Sequence, residues 1–168
     1  MLLGASRIVF QQEKYKILRA SSRDAPVVSA LTKGDWSERV AISQRRKIDN
    51  PTQIAEDLRA GGGLVLYRSD LPVAALSYVH ARDGSWELRR LGVTRTYSGR
   101  GFTALLIDTL EKLARKAGVR SIRIPVETYS PQYKAYFEKL GFSVDADRTF
   151  STIFPGALQP IRMHKVVG

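Results

Sequence analysis

The most constraining stretch of this sequence is Trp86–Leu106, where a strand pattern, Trp86–Val93, runs through a basic turn directly into an amphipathic helix. Phe102, Leu105, Leu106, Leu110, Leu113 and Ala117 fall on one helical face, and Gly118 ends the run. A helix start carries N–H groups with no partner inside the helix and a positive partial charge, so a phosphate placed there is stabilised. Gly99 and Gly101 permit positive φ and a close backbone approach at that start, and Arg95 and Arg100 add charge beside it. The same residues also read as an ordinary strand-to-helix turn with two helpful glycines. Neither a P-loop Gly-Lys-Ser/Thr nor a three-glycine dinucleotide fingerprint is present, so the Gly-Arg-Gly triplet by itself selects no nucleotide.

The flanking pattern defines the fold class. Tyr15–Ala20 alternates as a strand, and Ser21-Ser22-Arg23-Asp24 offers cap chemistry to the helix that follows. Residues 26–60 read as helical in two pieces broken at Asp49-Asn50-Pro51, with Thr52 as the second cap and Gly61-Gly62-Gly63 as the stop. Leu64–Tyr67, Val73–Val79 and Trp86–Val93 are strands joined by short turns, which makes them antiparallel neighbours. Val119–Val126 is reached through a helix and so runs parallel to Trp86–Val93. Tyr133, Tyr136, Phe137 and Leu140 form a second helical stripe closed by Gly141, before the final strands Phe142–Ala146 and Ile161–Val167. The order predicts an α+β fold with one parallel βαβ unit. Residues 1–12 are expected to precede it as an arm and 13–168 to form one domain, a length that can bury a substantial core.

Composition narrows the chemistry. The chain has no cysteine and only His80 and His164, which removes disulfides, thiolate nucleophiles, Cys-ligated zinc and a His-rich metal site. No apolar run approaches the roughly 20 residues of a membrane span, and the first residues lack a secretory pattern, so a cytoplasmic protein is expected. The net charge of +11 favours anionic partners: a phosphorylated cofactor, an acidic substrate or RNA. A merely soluble basic surface accounts for it equally well.

The stretch Ser98-Gly99-Arg100-Gly101-Phe102-Thr103, leading into a Leu-rich helix, resembles the acetyl-CoA motif of the GNAT superfamily of N-acetyltransferases. That pattern is Gln/Arg-x-x-Gly-x-Gly/Ala. Ser98 takes its first position and Thr103 its last, both as departures, while Gly101 matches. Tyr133–Phe142 resembles the second family signature, a helix ending in Lys-x-Gly-Phe. The resemblance implies a mixed, mostly antiparallel twisted sheet flanked by helices, with acetyl-CoA as co-substrate and no metal. It further implies that Leu91, Gly92 and Val93 bind the pantetheine arm on a splayed strand, and that backbone amides of Ser98, Gly99, Arg100, Gly101, Phe102 and Thr103 bind the pyrophosphate. Gly92 inside a strand is consistent with a bulge or a close ligand approach.

Two side chains are candidates for the chemistry. Glu87 is the only acidic residue in Trp86–Phe102, and the resemblance implies that it serves as general base for an amine acceptor. Unbroken alternation would put Glu87, Arg89, Leu91 and Val93 on one face, with a surface ion pair as the alternative reading of Glu87. Many family members use a tyrosine as general acid where this chain has Phe137. Tyr136 precedes it, and its stripe with Tyr133 and Phe137 equally predicts core packing. His80 and His164 show no visible partner, and Arg45-Arg46-Lys47 reads as solvated charge or as a border of the acceptor cleft. The expected activity is direct acetyl transfer to a primary amine of an acidic or neutral small molecule, an aminoacyl-tRNA or a protein, with a homodimer among the admitted partners. The rival is a non-catalytic acyl-CoA-sensing or RNA-binding module on the same fold.

Overall fold

The structure is a computed structural model that describes residues 7–37, 50–127, 131–145 and 160–168. Its elements in chain order are β1 (Ile8–Gln12), β2 (Tyr15–Ala20), α1 (Ala25–Ser37), α2 (Pro51–Ala60), β3 (Gly61–Arg68), β4 (Leu71–His80), β5 (Trp86–Val93), α3 (Phe102–Lys116), β6 (Ser121–Glu127), α4 (Pro131–Lys139), β7 (Ser143–Val144) and β8 (Pro160–Val166). The strands form one eight-stranded sheet in the order β1-β2-β3-β4-β5-β6-β8-β7. Every neighbouring pair is antiparallel except β5 and β6, which α3 connects as the expected βαβ unit. Ile8–Gln12, within the stretch set apart above as an arm, runs as the edge strand beside β2. Arg45-Arg46-Lys47 lies outside the described residues.

Local chemistry accounts for the helix starts. The Ser21 N–H donates to the Asp24 carboxylate at 2.7 Å just ahead of α1. The cap of α2 is Asn50 and not Thr52: the Asn50 side-chain oxygen accepts from the Thr52 N–H at 2.9 Å, with Pro51 in the first turn. Proline suits that position because its fixed φ is helical and its missing N–H would have been unpaired there. The three glycines expected to stop α2 also open β3, and a Cβ on Gly61 would lie 2.1 Å from the Tyr78 carbonyl oxygen.

Helices cover the sheet on both faces. One face packs α3 and α4 over Leu64, Leu76, Leu88, Leu91, Ile122, Ile124 and Met163, with Leu106, Ile107, Leu110, Ala114 and Phe137 supplied by the helices. The other packs α1 and α2 over Val65 and Ala75 through Val28, Leu31, Ile54 and Leu58. Each fully buried Leu or Ile contributes roughly 1.5–3 kcal/mol relative to exposure. The larger cluster therefore fixes where α3 starts, and through it the loop that precedes α3.

Candidate active site

β5 is held differently along its two edges. Toward β4 it pairs along its whole length, from His80↔Trp86 to Ala74↔Val93. Toward β6, among the described residues, the register comprises only Trp86↔Ile122 and Glu87↔Arg123, although β6 continues to Glu127. The two strands thus part beyond Glu87 and leave a wedge. The Thr94 N–H donates to the Val73 C=O at 2.9 Å. By the alternation of an antiparallel ladder, the N–H and C=O of Leu91 then point away from β4 and into the wedge.

The loop at the mouth of the wedge ends at α3. Gly101 is its N-cap at φ +83°, and Gly99 has φ +76°, a region that residues with a Cβ seldom adopt. The first bond of the helical ladder runs from the Leu105 N–H to the Gly101 C=O at 3.0 Å. The N–H groups of Phe102, Thr103 and Ala104 precede that ladder and face out of the helix start. The Ser98 amide, by contrast, donates to the Arg95 C=O at 3.2 Å and so is engaged within the turn. The Arg100 guanidinium lies 5.0 Å from the centre of the Tyr97 ring, beside the same helix start. Tyr97 and Phe102 in turn pack against the core under α3, which anchors the loop on the sheet.

Alternation in β5 breaks, but not at Gly92. The register shifts between Ser77↔Arg90 and Tyr78↔Leu88, so Arg89 is the extra residue of a β-bulge. Trp86, Leu88, Leu91 and Val93 consequently share the α3–α4 face, whereas Gly92 and Arg90 lie on the α1–α2 face. The expected face of Glu87, Arg89, Leu91 and Val93 does not form, because the bulge returns Leu91 to the side of Leu88. Glu87 belongs to the α1–α2 side. The spacing Trp86, Leu88, Leu91, Val93 carried this signal, since two apolar residues three apart cannot share a face of a regular strand.

Gly92 is a close-approach residue: a Cβ there would meet the Leu31 carbonyl oxygen at 2.4 Å. Its neighbour Arg90 is buried and donates to the Asp57 carboxylate of α2 at 2.8 Å, while Gln53 donates to the other Asp57 oxygen at 3.0 Å. This buried pair ties α2 to the bulged strand, and no local pattern in the sequence announces it. Glu87 is half-buried, with one oxygen 3.6 Å from the Arg89 guanidinium.

The other candidates divide between the two faces. Phe137 is 1% exposed in the core, whereas Tyr136 is 37% exposed and meets Phe137 edge-on, outside the buried stripe expected for it. A helical turn separates neighbours by about 100°, so adjacent residues point apart. The Tyr133 side chain lies outside the described residues. His80 stacks on Trp86 at 5.6 Å, on the face opposite Glu87. His164 does have a partner: its Nδ1 is hydrogen-bonded to the Asp145 carboxylate. Among the described residues no cluster of three or more acidic or imidazole groups could hold a metal ion, and no helix is long and apolar enough to cross a membrane.

Solved structures of similar fold include the PaiA N-acetyltransferase of Thermoplasma acidophilum in complex with coenzyme A, at 16% identity, 90% and 98% coverage of the two chains and a TM-score of 0.72. An IAA acetyltransferase from Bacillus cereus matches at 17% identity, 90% and 99% coverage and a TM-score of 0.63. An acetyltransferase of Bacillus subtilis in complex with CoA matches at 20% identity, 67% and 81% coverage and a TM-score of 0.55. No curated protein matches the sequence. The acetyltransferase (GNAT) family model matches residues 28–142, from α1 through the wedge and α3 to the end of α4. The chain, an acetyltransferase, belongs to that family.

Proposed function

We propose that this acetyltransferase binds acetyl-CoA with its pyrophosphate at the start of α3 and its pantetheine arm in the wedge between β5 and β6. The observation that carries the reading is the parting of those strands just below a helix start whose first N–H groups face outward. Two proteins of similar fold, from Thermoplasma acidophilum and Bacillus subtilis, have been solved with CoA bound.

In this reading the edge of β5 around Leu91, Gly92 and Val93 lies along the pantetheine, and the outward Leu91 N–H stabilises the oxyanion formed from the thioester carbonyl. The amine nitrogen attacks that carbonyl, the C–N bond forms, and the C–S bond breaks. Glu87, at the last register pair before the wedge, removes the proton that the nitrogen sheds, through water. The thiolate that leaves needs one proton, and Tyr136 is the candidate donor at the exposed side of α4. The acceptor is a primary amine on an acidic or neutral molecule, because a chain of net charge +11 repels a basic peptide tail.

Calorimetry with CoA tests the anion site. A carboxylate at the N-cap of α3 competes for the phosphate's place, so Gly101→Asp is expected to weaken CoA binding by about 100-fold or more. A folded variant of unchanged affinity would locate the cofactor elsewhere.

A further inference from the structure

The sheet carries a row of ionisable side chains across β5, β6 and β8. Glu87 is registered with Arg123, Arg123 with His164, and His164 with Ser143 of β7. Registered partners project to the same face. Ile122, Ile124 and Met163 point into the α3–α4 core, so Arg123 and His164 face the opposite side, with Glu87. There α1 and α2 lie over β3, β4 and β5, and the His164 side chain remains 37% exposed.

Among the described residues, the groups facing His164 come from three strands and one loop. From the end of β7, Asp145 holds its Nδ1; Asp145 is fixed in turn by its N–H, which donates to the Arg162 C=O at 2.9 Å. From β6, Arg123 lies alongside, paired with Asp83 of the β4–β5 loop at 2.6 Å. On its own strand Arg162 is the neighbouring charge of the same face, and Glu87 lies one strand beyond Arg123. With Nδ1–H donated to a carboxylate, the imidazole presents the lone pair of Nε2 outward. Strands about 4.8 Å apart leave His164 and Glu87 about 10 Å apart along the row.

We propose that His164, oriented by Asp145, is a second proton acceptor on the acceptor side of the transfer. The inference rests on the acetyl-transfer reading above. An alkylamine in water is an ammonium ion and gives up two protons on becoming an amide. His164 Nε2 takes the first, which frees the nitrogen lone pair for attack on the thioester carbonyl. Glu87 takes the second after the C–N bond forms; Tyr136 protonates the departing CoA sulfur, and the proton held by Glu87 restores Tyr136 through solvent. The first proton returns from the imidazolium to solvent, so the step balances as ammonium plus thioester giving amide, thiol and one released proton. Asp145 acts through His164 and is a positioning residue.

The experiment compares two kinds of probe at about pH 7: amines cationic there (2-phenylethylamine, alanine amide and glutamate) and hydroxylamine, which is mostly uncharged. His164→Gln is expected to slow transfer to the cationic amines about 100-fold, with CoA affinity and thermal midpoint held near wild type. Transfer to hydroxylamine should stay within about twofold, because that nucleophile has no first proton to lose. The deficit with the cationic amines should close toward about pH 10, where alkylamines lose the proton unaided. Asp145→Asn should show the same selectivity with a smaller loss. Equal losses with both probes, or rates within about twofold for both, would overturn the inference while leaving the Glu87 step standing. Wild-type protein that transfers acetyl to neither probe would overturn the primary-amine acceptor reading on which the inference rests, and the inference with it.

Discussion

The two edges of β5 set a closed ladder against an open one. Along the β4 edge the ladder is continuous and absorbs a bulge at Arg89 without parting. Along the β6 edge the register stops after Glu87↔Arg123. Each unmade ladder bond would cost on the order of 1–3 kcal/mol if its groups stayed buried and unpaired. A wedge of this kind is therefore stable where solvent or a ligand meets those groups. The paired edge supplies stiffness, and the parted edge supplies donors with fixed direction. Helix α3 closes the arrangement, because its start at Phe102 and its buried face, Leu106 and Leu110, are set by the same core that holds the paired edge.

The sharpest test of this contrast is Glu87→Gln, at the last pair before the wedge. It keeps shape and hydrogen bonding but accepts no proton. Turnover is expected to fall about 10²–10⁴-fold with CoA affinity near wild type, measured as initial rates of CoA thiol release. A surface ion pair with Arg89 alone would predict a stability loss of about 1 kcal/mol or less and a nearly intact rate.

Next in size is Gly92→Val, which loads the firm part of the strand instead. The new side chain would meet the Leu31 carbonyl at van der Waals overlap, since even a Cβ lies at 2.4 Å. Destabilisation of about 1–3 kcal/mol is expected in urea unfolding. Full stability would mean that α1 yields easily and that the paired edge is softer than its ladder indicates.

The smallest expected effect concerns the hinge of the wedge. The Ser85 hydroxyl donates to the Asp83 carboxylate at 2.6 Å, and the Ser85 N–H at 3.0 Å, which holds the Asp83 carboxyl below the ordinary carboxylate range; the Arg123 guanidinium of β6 adds to this. A carboxyl lowered by folding stabilises the native state above its unfolded pKa, near about 3.9, and loses that contribution as pH falls toward the folded value. Ser85→Ala should therefore cost under about 1 kcal/mol at neutral pH, and the gap to wild type should narrow below about pH 4. A gap that widens on acidification would remove Asp83 from the link between the β4–β5 loop and β6.

Much of the fold was legible in advance because its signals are local. The period of Phe102, Leu105, Leu106 and Leu110 marks a helix, Gly101 marks a start that needs positive φ, and the short turns mark antiparallel neighbours. A strand–turn–helix unit of this kind carries its own backbone chemistry, so the outward amides of Phe102 and Thr103 follow from the sequence once the helix is placed. The bulge at Arg89 was also encoded, in the three-residue step from Leu88 to Leu91, but that step does not say which neighbour the extra residue turns toward.

What tertiary structure alone decided are contacts between residues far apart in the chain. Asp57 meets Arg90 across 33 residues, and Asp145 meets His164 across 19. Neither pair has a periodicity, because each depends on which strands become neighbours and in what register. The order β5-β6-β8-β7 brings Glu87, Arg123 and His164 into one row, although the sequence separates them widely. Local propensity is settled within a helical turn or a strand pair, whereas register is settled by the burial of a whole face, here Ile122, Ile124 and Met163. The sequence by itself determined most of the elements and a helix start with outward amides, though not the edge strand Ile8–Gln12; only the packed sheet decided which ionisable groups share the open face.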